Sequence, residues 1–156
     1  MKPNNNLVTW SSTYSVGVKL IDKQHKELLN LVNDMYNHVI GDETIERAYF
    51  QEVIQQTLDY VKIHFDTEEK IMKLVKFQGY VEHKKAHDSF IYNVFDMVKK
   101  FEAGKKGPLI SFTHFIKDWI LTHIAIMDKQ YFEYFKKIAV RNTNGSLSII
   151  PEKIAC

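Results

Sequence analysis

Cysteine is nearly missing: the only one, Cys156, is the last residue, so the chain forms no internal disulfide and offers no thiolate cluster to a metal. A reducing interior, and so the cytoplasm, is the expected setting. No window approaches the roughly 18 uninterrupted apolar residues of a membrane span. The opening MKPNNNLVTWSSTYSVG also lacks the apolar run of about 7–15 residues that marks a signal peptide. Charge of one sign is scarce too. The net charge is +2 with histidines neutral, and Lys and Arg are spread along the chain, so neither nucleic acid nor a membrane surface is an expected partner. Strand signals, internal repeats and low-complexity segments are absent.

What remains is helical. A chain of 156 residues with 45% hydrophobic content suffices for one compact domain with a core that is stable unaided. From about Leu20 to Ile40, apolar residues recur at threes and fours (Ile21, Leu28, Leu29, Val32, Met35, Tyr36, Val39), the period of an amphipathic helix. Asp22 caps or charges its first turn, and Gly41 closes it. A second helix is expected over about Thr44–Leu74, with Gly79 in the turn after it, and a third over about Val81–Phe101. Gly104 and Gly107 then break the chain, and Pro108 suits the first position of a fourth helix running to about Met127 or on to Val140. Residues 1–18 form an irregular arm whose Trp10, Tyr14 and Val16 pack across the end of the domain; the segment after Val140 is assigned no structure. The expected fold is all-α, an antiparallel up-down four-helix bundle over residues 1–140 with an irregular N-terminal arm and a C-terminal tail, 141–156.

The chemistry lies in the histidines. His64 and Glu68 stand four residues apart, about 400° of helix, so imidazole and carboxylate share one face. His25 lies near the start of the first helix, His64 near the end of the second, His83 and His87 near the start of the third, and His123 towards the end of the fourth, with Asp128 beyond it. In an antiparallel bundle, starts of odd helices and ends of even ones meet at one end. His114 and His38 serve as controls: nine residues before His123 and thirteen after His25, each falls on the far side of its helix. Glu68 is followed by Glu69; only one can face inwards, and the step from His64 selects Glu68. Asp128 fits least well, because five residues swing it about 140° from His123 and require reach across the bundle.

A lone helical histidine is more often a packing or surface residue than a ligand. Seven donors at one level are another matter, since burying so many unpaired polar groups would be prohibitively costly. They are too many for one tetrahedral zinc. They suit two first-row ions bridged by the carboxylates, and imidazole-rich N/O ligation without thiolate leans to iron over manganese. Three histidines on one ion and two on the other would leave the second with an open position.

The segments IDKQHKELL (21–29), HFDTEE (64–69), HKKAH (83–87) and WILTHIAIMD (119–128) resemble the successive signatures of the hemerythrin family, particularly its single-domain bacterial branch. The resemblance implies two non-haem iron ions, one held by His83, His87 and His123, the other by His25 and His64. Glu68 and Asp128 would bridge them together with a solvent-derived oxo or hydroxo group. It also implies reversible binding of dioxygen, for storage, delivery or sensing, rather than enzymatic turnover. Phe65, Phe90, Trp119, Ile120 and Ile124 flank ligands at helical spacing and could line the oxygen pocket, although ordinary core packing explains any one of them equally well. A diiron peroxidase or oxidase is the rival. Ferritin-like enzymes use Glu-rich sites with Glu-x-x-His pairs, and this chain has no Glu-x-x-His. A redox or nitric oxide sensor module would need a signalling partner outside this chain.

Overall fold

The computed structural model describes residues 6–38, 43–104, 108–141, 143, 144 and 147–149. Four rods make the fold: α1 (Lys19–His38), α2 (Glu43–Leu74), α3 (Tyr80–Glu102) and α4 (Pro108–Thr122). The last continues through a π-helical turn, His123–Asp128, into α5 (Lys129–Ile138). Neighbours in sequence pack in space, and α4 closes the ring against α1, giving the expected up-down bundle. The expected closure at Ile40 and Gly41 and the break at Gly107 lie outside the described residues.

Local chemistry explains the ends. α2 stops in a Schellman motif: Lys76 is left-handed (φ 52°), the Phe77 amide donates to the Met72 carbonyl, and the Lys76 amide donates to Lys73. Gly79 follows because the Phe77 ring folds over it; a Cβ there would lie 2.6 Å from that ring. α3 ends at Gly104, whose φ of 80° suits glycine. α4 begins at Pro108, where a missing amide hydrogen costs nothing.

The N-terminal arm differs from its expected place. It runs along the flank of α1 rather than only across the end. Asn33 exchanges two hydrogen bonds with the backbone of Val8 (3.0 and 2.9 Å), and Asp22 accepts from the Ser15 hydroxyl (2.6 Å) and the Val16 amide (2.8 Å). Asp22 thus anchors the arm, beyond any effect of its charge on the first turn of α1. The C-terminal segment also departs from expectation. β1 (Ala139–Arg141) and β2 (Leu147–Ile149) pair antiparallel, Val140 opposite Ser148. The missed signal was the turn-rich stretch 142–146 between two apolar runs, a glycine-containing connection of a length that joins hairpin strands.

The core is in two parts. The larger joins Leu28, Val32, Phe50, Phe65, Phe90, Phe112 and Ile120 along the body of the bundle. The smaller joins Val16, Ile21, Met72, Val75, Tyr131 and Phe132, contributed by the arm and by the helix segments beyond the histidines. The histidine level is therefore not a pole of the molecule. It is a polar layer between two apolar ones.

Candidate metal centre

Each rod carries one face into that layer. His25 comes from α1, His64 and Glu68 from α2, His83 and His87 from α3, and His123 and Asp128 from the π-helical turn. All seven side chains are buried, none more than 3% exposed. The π-helical turn resolves the difficulty over Asp128. Its backbone bonds run from i to i+5, so five residues make about one turn and Asp128 returns to the face of His123, with no reach across the bundle. The two side chains meet at 3.0 Å.

The imidazoles present Nε2 to one another. His25 and His64 approach to 3.3 Å, and His123 lies 3.1 Å from both His83 and His87. Asp128 reaches His25 (3.0 Å) and His83 (3.1 Å); Glu68 reaches His83 and His87 (both 3.4 Å) and His64 (3.6 Å). Yet all four carboxylate oxygens of this buried pair lack an aligned hydrogen bond. Lone pairs held this close and aimed past one another at a common space are the arrangement a cation would relieve. The donors fall into two groups, each with its donor atoms within 4.8 Å of one another. One contains His83, His87 and His123, the other His25 and His64, and Glu68 and Asp128 belong to both.

Burial sets the protonation of the metal-free chain. It pushes His64 down to about 3 and His87 down to about 2, helped by the other imidazoles, so both stay neutral with a free lone pair. Burial and the nearby Asp128 push Glu68 up to about 8. For His83, burial opposes the charged form, but contacts with Asp128 and Glu68 outweigh it and raise the pKa to about 9. Burial would likewise raise Asp128, and the surrounding His123, His25 and His83 hold it well below its ordinary value instead.

Three of the five candidate pocket residues lie on the three-histidine side. Phe65 stacks on His87 (3.8 Å between ring centres, 5° between planes) and Trp119 stacks on His123 (4.2 Å, 14°). Phe90 packs behind both, 5.8 Å from Phe65 and 4.4 Å from Trp119. Ile120 and Ile124 are buried in the larger core. The two control histidines are exposed: His38 stacks on Tyr49 at 4.1 Å, and His114 lies on the solvent side of α4.

The model of the hemerythrin HHE cation binding domain matches residues 16–135. The chain belongs to the hemerythrin family. It is 31% identical over 126 residues to the bacteriohemerythrin of Methylococcus capsulatus, covering 80% of this chain and 94% of that one. With the bacteriohemerythrin of Pseudomonas aeruginosa it shares 30% over 146 residues, 90% of this chain and 86% of the other. A wild-type hemerythrin crystal structure superimposes with a TM-score of 0.72 at 30% identity, covering 81% of this chain and 96% of that chain. The cation-binding description of the hemerythrin model and the buried His, Glu and Asp donors agree: this is a metal site, with iron the metal the family implies. Among the described residues, no helix is long and apolar enough to cross a membrane.

Two residues of this hemerythrin-family site escaped the sequence reading. Glu69, expected to face away once Glu68 was selected, is 16% exposed at its side chain and meets His87 Nδ1 at 3.0 Å. Gln24 accepts from His64 Nδ1 at 2.7 Å. Both pairings cross between helices, so no spacing within one helix betrays them. The available signal was adjacency, since each stands next to a buried donor, Glu68 or His25.

Proposed function

We propose that the chain binds dioxygen reversibly at two non-haem iron ions. The observation that supports this best is the pair of donor groups sharing Glu68 and Asp128, one with three imidazoles and one with two. In this reading His83, His87 and His123 would hold one ion and His25 and His64 the other, with Glu68 and Asp128 shared between them. The side with two imidazoles, one donor short of the other, would be left with the open position. When bound, the iron pair supplies that position and the two electrons that dioxygen binding draws on.

The chain's own residues do the rest. His64 and His87, kept neutral by burial, offer lone pairs at neutral pH without first losing a proton. Glu68 and Asp128 supply the negative charge that balances the ions. The two apolar clusters on either side of the donor layer exclude water and protons, which favours release of unaltered dioxygen over its conversion to superoxide or peroxide. Phe65, Phe90 and Trp119 hold the three-histidine side in place by stacking. Of the five pocket candidates, Ile120 and Ile124, buried in the larger core, remain for the oxygen pocket.

Binding without turnover, by a unit spanning residues 1–140 in the cytoplasm, completes the reading. It is tested by cycling reduced, iron-loaded protein between air and nitrogen. A visible absorption band that forms in air and disappears on deoxygenation over many cycles is expected. Irreversible bleaching in one cycle, with added peroxide consumed catalytically, would make the chain a diiron peroxidase.

A further inference from the structure

We propose that Gln24 and Glu69 are positioning residues that make the two halves of the centre electronically unequal, an inference that rests on the diiron reading above. With Nε2 of each imidazole turned inwards, Nδ1 faces outwards, and only a partner there can set the ring's tautomer, orientation and basicity. On the two-histidine side that partner is an amide: His64 Nδ1–H donates to Gln24 Oε1 at 2.7 Å. Gln24 is itself clamped, because the Tyr60 hydroxyl, one turn before His64 on α2, donates to its backbone carbonyl at 2.5 Å. On the three-histidine side the partner is a carboxylate, Glu69, 3.0 Å from His87 Nδ1. Lys84 stands 3.8 Å behind it and is itself bound to Asp88 at 2.7 Å. The Nδ1 atoms of His25 and His123 are buried without a partner.

Amide and carboxylate have nearly the same shape and reach; they differ in charge. A neutral amide fixes the His64 tautomer and leaves the ring an ordinary neutral donor. A carboxylate draws on the Nδ1 proton and makes His87 more electron-rich at Nε2, a charge-assisted bond of the stronger kind. Extra electron density therefore reaches the ion that has no open position and favours its ferric state. On the side with the open position His64 meets only an uncharged amide, so the ion there would stay the better electrophile.

Because Gln and Glu are isosteres, the charges can be moved without reshaping the site. The test compares Glu69→Gln, Gln24→Glu and the double exchange in the full, iron-loaded chain, reading iron content and the midpoint potential of the diferric/diferrous couple. Glu69→Gln should shift the potential upwards and weaken iron retention by about 10–100-fold. Gln24→Glu should shift the potential downwards, and the double exchange should return it towards the wild-type value. A role limited to packing would not move the two single variants in opposite directions. Iron-loaded variants with unchanged potentials, or potentials shifted the same way, would overturn this inference alone. A wild-type chain that takes up no iron would overturn the diiron reading and this inference with it.

Discussion

At the residue scale, the centre depends on which face of a helix a histidine occupies. His87 and His114 differ in little else, both being imidazoles on amphipathic helices, yet one is 1% exposed among four other donors and the other faces solvent. His87→Ala should therefore lower iron content markedly while His114→Ala leaves it unchanged, as read by metal analysis of the purified variants. Equal effects would remove the distinction. Protonation gives a second test. At pH 7 the metal-free chain holds protons on Glu68, with its pKa of about 8, and on His83, at about 9, and both must leave when a metal arrives. Iron(II) affinity should thus climb with pH towards about 9, and calorimetry in buffers of different ionisation enthalpy should find proton release at pH 7. Uptake without proton release would contradict the assignment of these two groups. The inward histidines and Glu68 could be read from helical spacing because each follows from its own helix; Asp128 could not. Gln24 and Glu69 could not, because their partners sit on other helices.

At the element scale, the four rods and their antiparallel order were legible from apolar periodicity and the Gly and Pro breaks. Two features were not. The π-helical turn at His123–Asp128 has no propensity signature in the residues HIAIMD, and it forms where the buried donors of four elements meet. Its trace in the sequence was an apparent misfit, a five-residue step where four was expected. The arm was legible as irregular, but its course was not, since Asn33 and Asp22 look like ordinary polar helix positions until Val8, Ser15 and Val16 are placed against them. Asp22→Ala should free the arm at that point, leaving the Val16 amide and the Ser15 hydroxyl without their acceptor. A loss of about 1–3 kcal/mol is expected for removing hydrogen bonds to a charged acceptor, seen as a lower Tm with iron content retained. An unchanged Tm would show that the anchor is dispensable.

At the scale of the whole molecule, a layer of seven polar side chains between two apolar clusters is a liability without metal and an asset with it. The metal-free chain should show this in its pH dependence. His64 and His87 have folded-state pKa values depressed from 6.5 to about 3 and about 2, so below pH 6.5 the unfolded chain binds protons that the folded one refuses. Stability falls as pH falls, with Glu68 offsetting one of the two histidines above its ordinary 4.5. In the other direction Glu68 and His83, raised to about 8 and about 9, keep protons that the unfolded chain releases, so stability falls again as pH rises. Thermal denaturation of iron-stripped protein should give a maximum at about pH 6.5, and iron loading should raise Tm throughout by binding the folded state alone. A metal-free Tm that is flat from pH 4 to 9 would contradict these assignments. The most direct measurement of the central claim is a crystal structure of the reduced, iron-loaded chain with anomalous scattering recorded at the iron edge. Two peaks are predicted, one among His83, His87 and His123 and one beside His25 and His64, both touching Glu68 and Asp128. A single peak saturated by protein ligands, or none, would contradict it.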